Sequence, residues 1–64
     1  MLDCYYIVES IDGDYAHLRK IPDEPGSETK LVARALLPET INEGTYLHYA
    51  MLQYEEVSRE EALS

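Results

Sequence analysis

The sequence contains no tryptophan and no phenylalanine, one cysteine, three prolines, three glycines and five basic residues. Each shortage excludes something. A single thiol, Cys4, cannot form an internal disulfide, whereas small secreted domains are normally stapled by paired cysteines. A reducing compartment is expected, with the cytoplasm as the default. The opening residues, Met1-Leu2-Asp3-Cys4-Tyr5-Tyr6, have neither a basic start nor an apolar run, so no signal peptide is expected. No segment approaches the roughly 20 apolar residues of a membrane helix. Arg19, Lys20, Lys30, Arg34 and Arg59 are set against 13 acidic residues, a net charge of −8. Nucleic-acid binding draws on Lys and Arg neutralising phosphates, and anionic membrane surfaces attract cations. Neither partner is expected. The acidic surplus favours solubility and steers basic partners.

Sixty-four residues form one domain at most. A chain of this size buries only about 60% of its unfolded surface, and ligand cavities typically occupy roughly 300–1,000 Å³. A thin core leaves little space for a reaction chamber, so the expectation is a non-enzymatic domain spanning residues 1–64.

What the sequence does contain is β-rich. Residues 4–11 carry aromatic and β-branched types suited to a pleated, half-buried surface. Asp12-Gly13-Asp14 is a tight-turn signal between apolar runs, and residues 15–20 form the return strand, with Ala16 and Leu18 inward and His17 and Arg19 outward. Residues 21–30, with two prolines and a glycine, make a loop. Further strands are expected over 31–35, 45–51 and 52–57, with Leu36-Leu37-Pro38 anchoring a turn between the first two. Ser58-Arg59-Glu60-Glu61 has the pattern of a capping box, opening a short helical turn that docks or frays. Five short strands and a terminal helical turn predict a mainly β fold, a small barrel or strongly bent sheet. Its expected core is Ile7, Ile11, Ala16, Leu18, Val32, Leu36, Leu37, Ile41, Leu47, Tyr49 and Val57.

Two segments carry a resemblance. Ile7-Val8-Glu9-Ser10-Ile11-Asp12-Gly13-Asp14-Tyr15-Ala16-His17-Leu18 resembles the opening hairpin of a small bacterial domain-of-unknown-function family (number three thousand and six in its series). Leu36-Leu37-Pro38-Glu39, then Ile41, Glu43-Gly44 and Leu47, resembles the second half of that family's pattern. Together they cover roughly residues 5–57. The resemblance implies a compact SH3-like β-barrel of about five antiparallel strands, with no assigned biochemical activity and no catalytic motif to carry over. The loop at 21–30 is longer and richer in proline than in that pattern, and the C-terminal helix is shorter.

Candidates for chemistry are few. Cys4, His17 and His48 are the only nucleophile and base types together. A small cysteine/histidine hydrolase needs the thiol and imidazole within hydrogen-bond reach, and a structural zinc site needs ligands in close pairs. Nothing in the spacing guarantees the first and no close pair supports the second; a small cysteine/histidine hydrolase or metal-binding protein stays open as an alternative that needs Cys4 near His17 or His48. Glu9, Asp12 and Asp14 lack the spacing of a calcium loop, and turn chemistry accounts for the two aspartates. No cofactor, metal or catalytic residue is expected.

The six tyrosines are the most informative feature. Each brings apolar area with a polar tip, which suits a thin barrel wall. It also suits an exposed groove, since aromatic grooves on SH3-type barrels dock proline-rich peptides. The expected function is a protein-binding or accessory module contacting a basic or proline-containing protein. Its contact residues are expected to be Tyr5, Tyr15, Tyr46 and Tyr54, with Asp12, Asp14, Glu55 and Glu56 selecting basic segments. An acidic nucleic-acid mimic occupying a DNA-binding protein is the alternative of another class. Self-association stays open as a route to stability.

Overall fold

The first hairpin forms where the sequence places it. Strands β1 (Cys4–Asp12) and β2 (Tyr15–Ile21) pair antiparallel in a computed structural model that describes residues 4–22 and 28–63. Asp12 faces Tyr15 across the turn, and Gly13 takes φ of +61°, a conformation that costs glycine nothing. The amide of Arg34 donates to the Asp14 carbonyl at 2.8 Å, tying the turn to the chain that leaves the third strand. That strand, β3 (Lys30–Ala33), pairs with β2 and runs into a 3-10 turn at Arg34–Leu36. The chain then crosses to the other side of β1, where β4 (Tyr46–Ala50) and β5 (Gln53–Val57) complete the sheet. Strand order is β3-β2-β1-β4-β5, antiparallel throughout. Of the loop expected at 21–30, residues 23–27 lie outside the described residues, as do Met1–Asp3 and Ser64.

Register decides which side chains face inward. Paired residues share a face, so Tyr6, Leu47 and Glu56 lie on one side, and Tyr5, His48 and Glu55 on the other. A β-bulge between Val8 and Ser10 shifts β1 by one residue. Val8 is therefore inward before the bulge and Ile11, opposite Ala16, is inward after it. The buried core comprises Tyr6, Val8, Ala16, Leu18, Val32 and Leu47 from the sheet, with Leu37 and Ile41 from the crossing segment. Three expected core residues are corrected. Ile7 is only half-buried, because β1 keeps its even-numbered residues inward ahead of the bulge. Val57 is half-buried beside Tyr46 on the outer face. Leu36 is 68% exposed, because the 3-10 turn lets Leu37 alone insert. Tyr6, Val8 and Ala62 take their places in the interior.

The sheet is strongly rolled. In a flat sheet, strands four positions apart are separated by about 19 Å at ordinary spacing. Here residues of both edges line one cleft, and the Nζ of Lys30 on β3 stands 5.8 Å from the centroid of the Tyr54 ring on β5. Right-handed twist accumulates across the strands, and the bulge adds local bending. The concave face holds the core, which is how a chain of this length encloses Leu18, Leu37 and Leu47.

Helix α1 (Arg59–Leu63) begins as its capping box predicts. The Glu61 amide donates to Ser58 Oγ at 3.1 Å, and the Ala62 amide donates to the Ser58 carbonyl at 3.1 Å. A helix of five residues is far below the length that is stable alone; it holds because it packs on β4 and buries Ala62.

Candidate functional site: an aromatic cleft between the sheet edges

Rolling without closure leaves a seam. Between β3 and β5 lies a cleft of about 320 Å³ lined by Lys30, Leu31, Val32, Ala33, Leu36, Tyr49, Leu52 and Tyr54. Its inner wall is tyrosine. Tyr49 and Tyr54 face each other across β4 and β5, ring centroids 4.6 Å apart and planes at 45°. Tyr6 of β1 stands 6.1 Å from Tyr54 at 55°. Tilted pairs at these separations are favourable because a ring's positive edge meets a negative face.

The Lys30 ammonium sits over all three rings, 5.8 Å from the Tyr6 centroid, 5.3 Å from Tyr49 and 5.8 Å from Tyr54. Within about 6 Å a ring's quadrupole attracts a cation. A hydrogen bond with Tyr54 raises the Lys30 pKa above its ordinary value, against a smaller opposing effect of burial. The Tyr6 hydroxyl is also pushed up, chiefly by burial, with the Lys30 charge acting the other way.

The rim is apolar and open to solvent. Leu31 is 57%, Leu36 68% and Leu52 87% exposed. Leu52 is held there by an uncommon turn. Met51 and Leu52 connect Ala50 to Gln53 with φ of +52° and +64°, the primed two-residue turn normally made from asparagine and glycine. Left-handed backbone costs a residue with a Cβ about 1–2 kcal/mol.

The eight contact residues expected from sequence are distributed over both faces of the sheet and its first hairpin. Tyr54 alone lines the cleft. Tyr5 is on the outer face, stacked on His48 with centroids 4.6 Å apart and planes at 21°, and Glu55 pairs across from His48. Tyr46 lies on that same face opposite Val57. Tyr15, Asp12 and Asp14 are exposed at the first hairpin. Glu56 points to the inner side and accepts a hydrogen bond from Thr40 Oγ1 at 2.7 Å. Lys30, Tyr6 and Tyr49 are not among the contact residues expected from sequence, which places Tyr49 in the core alone. Their convergence depends on the roll of the sheet and on a turn at residues 51–52 that has no glycine or asparagine to announce it.

Cys4 carries a free, half-buried thiol and pairs with Tyr49 on the inner side, whereas His17 and His48 project from the outer face. The thiol and imidazoles therefore do not converge. Glu9 is engaged by Arg19 in an ion pair, and among the described residues no cluster of three histidine, cysteine, aspartate or glutamate side chains is placed to hold a metal ion. Among the same residues no helix is long and apolar enough to cross a membrane. No family model matches the chain, and neither does any curated protein or solved structure.

Proposed function

We propose that this chain is a non-catalytic protein-binding module on a small SH3-like barrel, docking a basic or proline-containing segment of a protein partner in the cleft between β3 and β5. The observation that carries this reading is the exposed trio Leu31, Leu36 and Leu52 around a tyrosine floor. Exposed apolar surface grouped around a concavity marks interaction sites. Aromatic floors suit proline-rich segments, whose extended conformation costs little entropy to bind. The net charge of −8 favours basic flanking residues and faster encounter at low salt. In this reading Tyr54 contacts the segment directly. Tyr5, Tyr15, Tyr46, Asp12, Asp14, Glu55 and Glu56 set the polar, acidic surroundings. A reducing compartment such as the cytoplasm suits the lone Cys4 thiol.

Titration of isotopically labelled protein with proline-rich peptides, flanked by lysines or by glutamates, tests the reading. Shifts confined to Tyr49, Tyr54, Leu31, Leu36 and Leu52, with basic peptides preferred and binding weakened by salt, are expected. Absence of shifts at those residues with every peptide would refute it.

A further inference from the structure

We propose that Tyr6, Tyr49 and Tyr54 form a cage for an alkylammonium group, that Lys30 is its resident plug, and that a partner's lysine side chain takes the place of Lys30. This rests on the protein-binding reading and assigns the cleft its ligand chemistry.

Three strands each contribute one ring, and one cation stands 5.3–5.8 Å from every centroid. Aromatic cages of this kind recognise alkylated ammonium ligands. The rings are fixed from behind. Tyr6 is buried in the core, and Tyr49 and Tyr54 are half-buried against it. The cage is thus formed by the packed sheet rather than by the cation. Lys30, by contrast, reaches in from the first residue of an edge strand and is itself exposed. Its charge is carried on a flexible four-carbon stem. The cation already in place shows which chemistry the rings accept, and the chain's overall net charge of −8 favours the approach of cations over anions.

A tethered resident competes at an effective concentration in the millimolar range or above. A free ammonium ligand must overcome that advantage. A peptide seated on Leu31, Leu36 and Leu52 need not, because its own lysine is then tethered as well. Lys30 accordingly screens out free amines and admits a lysine presented by a docked segment.

The experiment compares wild type, Lys30→Met and Arg59→Gln. The last makes the same charge change outside the cleft. Probes are the amides of N-acetyl-lysine and N-acetyl-trimethyllysine, with an uncharged tert-butyl isostere of the latter, and tyrosine ring resonances report binding. Lys30→Met is expected to bind trimethyllysine at least tenfold more tightly than wild type or Arg59→Gln. The Tyr6, Tyr49 and Tyr54 rings should shift, and the isostere should be rejected. Stronger binding of trimethyllysine than of lysine would identify a methylated partner as the favoured source, and equal binding an unmodified one; both support the cage. Unmoved ring resonances in Lys30→Met with a folded spectrum would overturn it, as would equal binding of the isostere. Lys30→Gln supplies the same comparison should the methionine variant misfold. If the proline-rich peptides fail on wild type while Lys30→Met holds trimethyllysine, the protein-binding reading falls, and with it the partner's lysine as occupant, while the cage for an alkylammonium group stands. The reverse pattern rejects only the cage.

Discussion

The Lys30 ammonium lies 5.3 Å from the centre of the Tyr49 ring, although two other strands separate β3 from β4 in the sheet. The contact spans the seam of the rolled sheet, linking an edge strand to the tyrosines of its far half. It also places a charged, displaceable group in the middle of the cleft.

Truncating that link should loosen the roll. Lys30→Ala is expected to lower stability by about 0.5–1 kcal/mol, the range for a cation over exposed rings. For a domain of this size that is a fall in melting temperature of roughly 2–8 °C. Thermal denaturation checks it, and Lys30→Arg, which keeps the cation, should recover most of the loss.

The turn at Met51 and Leu52 should be improvable. Leu52→Gly removes the Cβ penalty of a φ of +64° but adds unfolded-state entropy, and the expected net gain is up to about 1 kcal/mol. Urea titration measures it. A clear loss instead would show that Leu52 makes contacts worth more than its backbone strain.

Core and rim leucines should separate cleanly. Leu18 and Leu47 are fully enclosed, and replacing either by alanine is expected to cost about 2–5 kcal/mol, enough to unfold a large share of so small a domain. Leu36→Ala, at an exposed position, should change stability by less than about 0.5 kcal/mol. Circular dichroism in urea distinguishes them. A large loss for Leu36→Ala would show that this side chain supports the fold rather than the rim of a binding cleft.

Alkali should weaken the fold. Lys30 and Tyr6 both have pKa values raised in the folded protein, Lys30 by its hydrogen bond to Tyr54 and Tyr6 by burial. A group whose folded pKa exceeds its unfolded one stabilises fully below the unfolded value and loses that contribution as pH rises through the folded one. These two groups should leave stability unaffected below about pH 9 and reduce it above about pH 10, where lysine and tyrosine titrate. Denaturation midpoints across that range test this, and Lys30→Met should flatten part of the decline. A rise in stability through the same window would contradict it.

The parts of this protein legible in its sequence are those settled by neighbours along the chain. Asp12-Gly13-Asp14 specifies a turn because glycine adopts positive φ freely, Ala16 and Leu18 announce their inward face by alternation, and Ser58 with Glu61 caps a helix through atoms three residues apart. The tertiary structure decided the rest. The bulge after Val8 moved the inward phase of β1 from Ile7 to Tyr6, and Met51-Leu52 formed a turn without turn residues. The roll of the sheet then brought Lys30 onto Tyr6, Tyr49 and Tyr54, leaving Tyr5, Tyr15 and Tyr46 outside. Local periodicity cannot encode such meetings, because a one-residue change of register exchanges the two faces of a strand. Which register prevails depends on how well partners distant in sequence fill the same interior.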